Sequence, residues 1–316
     1  MKTVRPVPVM VATAILMLLF SGCSINQYVL NTLADTLSAT TEGEDSVFLT
    51  DEDPQLVGDA LPFALKLYET VLQQTPDHEE LLLATGSAFI SYANAFVATP
   101  AAMLSYDQWE LRESEQRRAK RLYLRGRDYV IHGLDVRYPG FADSLSGTDP
   151  GFLDTMDRND VPFLYWIGAG WVGAFSLDIF DMDLAFTIST AGRLMERALA
   201  LDESYSDGAL HDFLVQFHAA VPETMGGDPS RVDFHHQRAL ELAAGRLAGP
   251  YISYAEAIYI PQQDVEQFVS YMKRALEVDP DGYPAARLMN VLSQRKAAWY
   301  LENLDEFFLL EGDEAF

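Results

Sequence analysis

Along most of the chain, apolar positions return every three or four residues. That spacing gathers side chains on one face of an α-helix. The clearest run is Leu184, Ile188, Ala191, Met195 and Ala198. Leu61, Leu65 and Leu72, with Ala64, Tyr68 and Val71 between them, draw a second such face. On this pattern helices are expected over 59–74, 79–97, 114–137, 161–180, 183–201, 207–220 and 284–301, with a shorter one over 26–37. Turn residues close them, as at Thr75-Pro76-Asp77, Tyr138-Pro139-Gly140 and Asp279-Pro280-Asp281-Gly282. No stretch alternates apolar and polar residues convincingly, so the expected fold is all-α, in antiparallel helix pairs.

The stretch 223–279 shows the unit most plainly. It opens with Thr224-Met225-Gly226-Gly227-Asp228-Pro229-Ser230, and two helices in it close alike, on Ala239-Leu240-Glu241-Leu242 and Ala275-Leu276-Glu277-Val278. Asp228 or Ser230 is placed to cap the first helix, with Pro229 in its first turn. Gly226 or Gly227 is expected to supply a positive φ. Similar helix ends recur at Val71-Leu72, Gly133-Leu134 and Ala198-Leu199. Their separations are 62, 65, 41 and 36 residues, the last two nearing the period of about 34 residues of a tetratricopeptide repeat. The expected body is an α-solenoid of degenerate repeats with one concave face.

The N terminus has a different character. Lys2 and Arg5 precede an apolar run over 9–20, too short to span a bilayer, and Leu19-Phe20-Ser21-Gly22-Cys23 follows. This resembles a bacterial lipobox. It implies cleavage before Cys23, acylation there with chains such as palmitate, and, with Ser24 next, sorting to the outer membrane facing the periplasm. The expected division is a signal peptide over 1–22, a tether over 23–54 and a helical-repeat domain over 55–316. Cys23 is the chain's single cysteine, so no disulfide forms within it. The net charge of −25 repels phosphate backbones and excludes nucleic acid as a partner.

Few residues suggest chemistry. Gly168-Ala169-Gly170-Trp171-Val172-Gly173 fits G-x-G-x-x-G but lies in a helical stretch, where close helix packing is the better reading. His211 and His218 share a helix face near Asp212 but lack metal-ligand spacing; His78, His132, His235 and His236 complete the set. No serine stands in a G-x-S-x-G setting, and no carboxylate pair is singled out as catalytic. The expectation is a non-enzyme without cofactor or metal. Arg112, Arg117, Arg118, Lys120, Arg121, Arg125 and Arg127 crowd one stretch. They are either a solvated helix with internal ion pairs or a docking patch for an acidic partner. The aromatic residues Phe89, Tyr92, Phe96, Tyr165, Trp166, Trp171, Phe175, Tyr251, Tyr254 and Tyr259 either belong to the core or line an apolar ligand groove.

The lipobox, the helical repeats and the Gly226-Gly227-Asp228-Pro229…His235…Ala239-Leu240 segment before Gly249-Pro250-Tyr251 together resemble one family. It is the tetratricopeptide lipoproteins associated with TRAP transporters, the T component. The resemblance covers nearly all of the mature chain. It implies a periplasmic, lipid-anchored protein, a homotrimer with a central pore, that binds the solute-binding protein of a TRAP-type transporter and helps pass apolar ligands. It carries over no catalytic residues. Expected binding residues are Trp166, Trp171, Phe175, Gly226, Gly227, Asp228, His235, Arg238 and Tyr254. The competing readings are an outer-membrane assembly or peptidoglycan-associated scaffold, and an envelope hydrolase.

Overall fold

The Asp53 carboxylate accepts hydrogen bonds from the backbone N–H groups of Gln55 (3.0 Å) and Leu56 (3.2 Å). Pro54 fills the first helical position, so the first long helix starts there, earlier than its apolar pattern suggests. A computed structural model describes residues 30–38, 46–145 and 150–309. Among these the fold is all-α, 81% helical and without strands.

Helix α1 covers 30–38. It is followed by α2 (Pro54–Leu72), α3 (Glu79–Ala93), α4 (Trp109–Arg137), α5 (Val161–Leu177), α6 (Met182–Leu201) and α7 (Ala209–Ala220). Then come α8 (Val232–Ala243), α9 (Gly249–Tyr254), α10 (Val265–Leu276) and α11 (Arg287–Glu302). From α2 onward each helix packs on its successor. The main core runs from Val57 and Leu61 on α2 through Ile90, Val130, Leu164 and Ile188 to Leu214 on α7. A second core gathers Ile252, Phe268, Met272 and Tyr300 on α9 to α11. A third, small one seats Ala34 of α1 against Tyr68, Leu72 and Leu81.

Glycines let the central helices touch backbone to backbone. A Cβ on Gly86 would stand 2.5 Å from the Gly126 carbonyl oxygen, and one on Gly126 would stand 2.6 Å from that of Gly86. The G-x-G-x-x-G run is a packing device of the same kind: Gly168 abuts Met195, and Gly170 abuts Arg127 and Ile90.

The last helix returns to the first. α11 packs on α2, the Leu288 N–H donates to the Leu49 carbonyl (2.9 Å), and Arg287 donates to that of Thr50 (3.0 Å). In an open stack each pair touches only its neighbours. Here one main-chain bond and one guanidinium bond tie the two ends of the helical body together.

Candidate functional site

Two helices contain the same irregularity. After Ala93, α3 widens into a π turn over Asn94–Ala98 and resumes as Thr99–Ala102. After Tyr254, α9 does so over Ala255–Tyr259 and resumes as Ile260–Gln262. Pro100 and Pro261 follow at the same place after each π turn. A proline lacks the N–H for the carbonyl one turn back and presses its ring on it, and a widened turn relieves both. The sequence pattern expected the first helix to stop before Pro100; instead it passes through. The two helices also share a run of residues. Ile90-Ser91-Tyr92-Ala93-Asn94-Ala95 and Ile252-Ser253-Tyr254-Ala255-Glu256-Ala257 differ only at Asn94 and Glu256.

Both π-turn helices face one cavity of about 510 Å³. Phe96, Pro100 and Met103 of the α3 helix, Ile252 of α9 and Met289 and Leu292 of α11 give it apolar walls. Asn94, Asp212, Gln216, Ser253, Glu256 and Lys296 form a polar band, with Arg295 exposed at the edge. The band is tied together. Lys296 pairs with the Glu256 carboxylate, and the Tyr300 hydroxyl donates to Glu256 Oε1 at 2.5 Å. Burial pushes the Tyr300 phenol far above its ordinary range, so it stays a donor. Ser253 Oγ donates to Asp212 Oδ1. Burial pushes the Asp212 carboxyl up to about 6; the Ser253 hydrogen bond opposes the rise and the nearby Glu256 charge adds to it. A cavity of this size with apolar walls and a few convergent polar groups suits a small molecule with one polar end.

Phe96, one of the aromatic residues considered for a groove, is on this cavity's wall, but the nine expected binding residues lie elsewhere. Trp171 and Phe175 are buried in the main core. The Trp171 Nε1–H donates to Thr187 Oγ1 (3.1 Å), and Arg127 stacks over its ring at 4.8 Å. Trp166 packs edge-on to Tyr165, its ring centroid 5.1 Å away. At the Gly-Gly turn, Gly226 carries the positive φ (+103°), and a Cβ on Gly227 would stand 1.7 Å from the Val221 carbonyl oxygen. Asp228 caps the turn Pro229–Arg231 just before α8 through the Ser230 N–H at 3.1 Å. His235 Nδ1 lies 2.9 Å from Nδ1 of His211, Arg238 pairs with Glu203 and Glu241, and Tyr254 donates to Asp233 at 2.6 Å. None of these nine residues lines the cavity between the π turns. Gly226 lies at a different one. Cys23 falls outside the described residues. Sequence reasoning missed Asn94, Asp212, Ser253, Glu256 and Lys296, although the repeated Ile-Ser-Tyr-Ala run carried a signal for two of the walls.

One open alternative narrows. The basic stretch on α4 is largely paired: Arg117 with Glu113, Arg118 with Glu115, Lys120 with Asp178 (2.7 Å) and Asp181 (2.6 Å), and Arg125 with Glu69. Buried His211, His218, His235 and His236 are held below their ordinary range, chiefly by desolvation, with His235 down to about 3 and His236 to about 4. Among the described residues, no group of three or more His, Cys, Asp or Glu side chains converges as a metal site.

Comparison with known proteins gives this architecture a family. Residues 50–308, which include both π turns and the cavity between them, match the family described as TRAP transporter T-component. A protein of Treponema pallidum (strain Nichols) is 36% identical over 306 residues, covering 92% of this chain and 95% of the relative. The chain belongs to the TRAP transporter T-component family and is therefore a transporter component associated with the cell envelope.

Proposed function

We propose that this protein is a non-catalytic lipoprotein that binds the solute-binding protein of a TRAP-type transporter. In this reading the cavity between the π-turn helices holds an apolar ligand in passage. The observation that carries it is the cavity itself: two copies of one sequence run, each widened by a π turn, face a chamber with apolar walls and a hydrogen-bonded polar band. Glu256 and Lys296 offset each other's charge, which lowers the cost of placing an apolar molecule beside them. Membership of a transporter-component family supports a binding role. The lipobox at Cys23 supports a membrane anchor, which would keep the cavity near the membrane face.

The test has two arms. Affinity for the solute-binding protein is measured by calorimetry with wild type and Leu292→Trp, whose indole fills the cavity. Bound apolar molecules are identified by native mass spectrometry of both proteins. The expected result is loss of the co-purifying ligand in Leu292→Trp with partner affinity retained. Wild type that binds no solute-binding protein, with or without ligand, would overturn the transport reading and favour a scaffold with another partner.

A further inference from the structure

A second cavity, of about 550 Å³, lies at the Gly226-Gly227 turn. It is walled by α6, by the end of α7 and by Arg231 just ahead of α8. We propose that it binds the carboxylate or phosphate group of a small amphiphilic molecule. The site is separate from the cavity between the π turns and does not rest on the transport reading.

The argument begins with charge. The chain carries −25 overall, yet Arg193, Arg197 and Arg231 all line this one cavity. Only Arg231 is neutralised, by Glu196 at 2.5 Å. Arg193 donates to the Thr190 hydroxyl (3.0 Å), and Arg197 to the main-chain carbonyls of Met156 (2.7 Å) and Asp154 (3.3 Å). Among the described residues neither has an acidic partner within ion-pair distance. The other acidic group at the cavity, Asp154, has an exposed side chain. Both arginines are half-buried. A guanidinium taken partly out of water without a counter-charge is held at a desolvation cost that a bound anion would offset.

A second observation is independent of the arginines. His218 lines the same cavity, is 2% exposed, and neither ring nitrogen has a hydrogen-bond partner among the described residues. Its Nε2 is 3.9 Å from Glu196, too far for a hydrogen bond. A buried polar ring atom without a partner calls for an explanation, and an oxyanion accepting from the ring N–H supplies one. Leu153, Leu214 and Phe217 complete the wall with apolar surface. Guanidiniums and apolar side chains in one lining match an anionic head on a short apolar body.

The Gly-Gly turn explains how the site is held. A Cβ on Gly227 would collide with the Val221 carbonyl, so only glycine lets the chain fold back against the end of α7. That reversal brings Gly226 to the cavity wall and delivers Arg231 opposite Glu196.

Titration calorimetry on the full chain tests this, with hexanoate, acetate and inorganic phosphate as probes in chloride buffer of constant ionic strength. Hexanoate is expected to bind more tightly than acetate, and Arg193→Gln to weaken it about tenfold or more. Arg193→Lys should recover part of the affinity, and Arg117→Gln, at an exposed position on α4, should leave it unchanged. Circular dichroism confirms that each variant is folded; Arg231→Gln, which releases Glu196 toward the site, serves as a second test if Arg193→Gln is not. Binding of none of the probes overturns the proposal, as does equal hexanoate affinity in wild type and a folded arginine variant. Binding of phosphate with no response to hexanoate overturns the amphiphile assignment.

Discussion

Asp212 and His236 make stability depend on pH in opposite directions. The folded state raises Asp212 from 3.8 to about 6 by burial. Its stabilising contribution is complete below the unfolded pKa near 4 and is lost as pH rises through about 6. Asp212→Asn stays neutral, so it should gain stability over wild type above pH 6, by up to about 3 kcal/mol, and gain nothing below pH 4. His236 runs the other way. Its ring stacks on Tyr254 at 3.9 Å, and burial lowers it from 6.5 to about 4. Its contribution is complete above the unfolded value and is lost as pH falls through the folded one. His236→Phe keeps a ring in the stack and removes the titration. It should flatten the stability loss between pH 6.5 and 4 by roughly 3 kcal/mol. Urea denaturation of both variants across pH 3.5–8 checks the two signs together, and parallel curves for wild type and variant would refute either assignment.

Helices here are shaped by what meets them as much as by their own residues. α3 and α4 cross where Gly86 and Gly126 face each other, and either side chain would strike the other's carbonyl. Gly86→Leu is expected to overpack that crossing and cost on the order of 1–3 kcal/mol, read as a lower midpoint in thermal unfolding. An unchanged midpoint would mean that the crossing has room to spare. Apolar periodicity made α2, α4, α6 and α7 legible from sequence, with ends displaced where capping intervened: Asp53 starts α2 early. It did not reveal the π turns, because a widened turn leaves the composition of a helix unchanged. Pro100 and Pro261 mark both π turns, and the repeated Ile-Ser-Tyr-Ala run links the two helices.

At the scale of the whole molecule, the cavity exists because distant parts of the chain converge. Its walls come from the start of α2, the α3 helix, α7, α9 and α11. At the start of α11 the Arg287 guanidinium donates to the Thr50 carbonyl and the Leu288 N–H to that of Leu49, and that junction fixes where Met289, Leu292 and Lys296 stand. The proposed anchor belongs to this scale too. With the lipobox intact the protein should partition into detergent with an acylated mature N terminus at Cys23, held firmly because each buried methylene contributes about 0.8 kcal/mol. Cys23→Ala should leave it in the aqueous phase or unprocessed. An unacylated mass for the wild type would refute the anchor.

Taken alone, the sequence determined what is local or additive. Spacing of apolar residues marked the helices, the absence of a period-two pattern marked the all-α class, and the Gly-Gly-Asp-Pro turn announced a positive φ that Gly226 carries. Net charge argued against nucleic acid as a partner. The aromatic residues were a harder case, since Trp171 and Phe175 look alike in sequence whether they fill a core or line a groove, and only packing buries them. The same limit hid both cavities. A cavity is a relation between surfaces far apart in the chain, and whether Glu256 meets Lys296 or Arg231 meets Glu196 depends on how helices cross. Helix crossings are set by side-chain volumes on both partners at once, which one-dimensional periodicity does not encode.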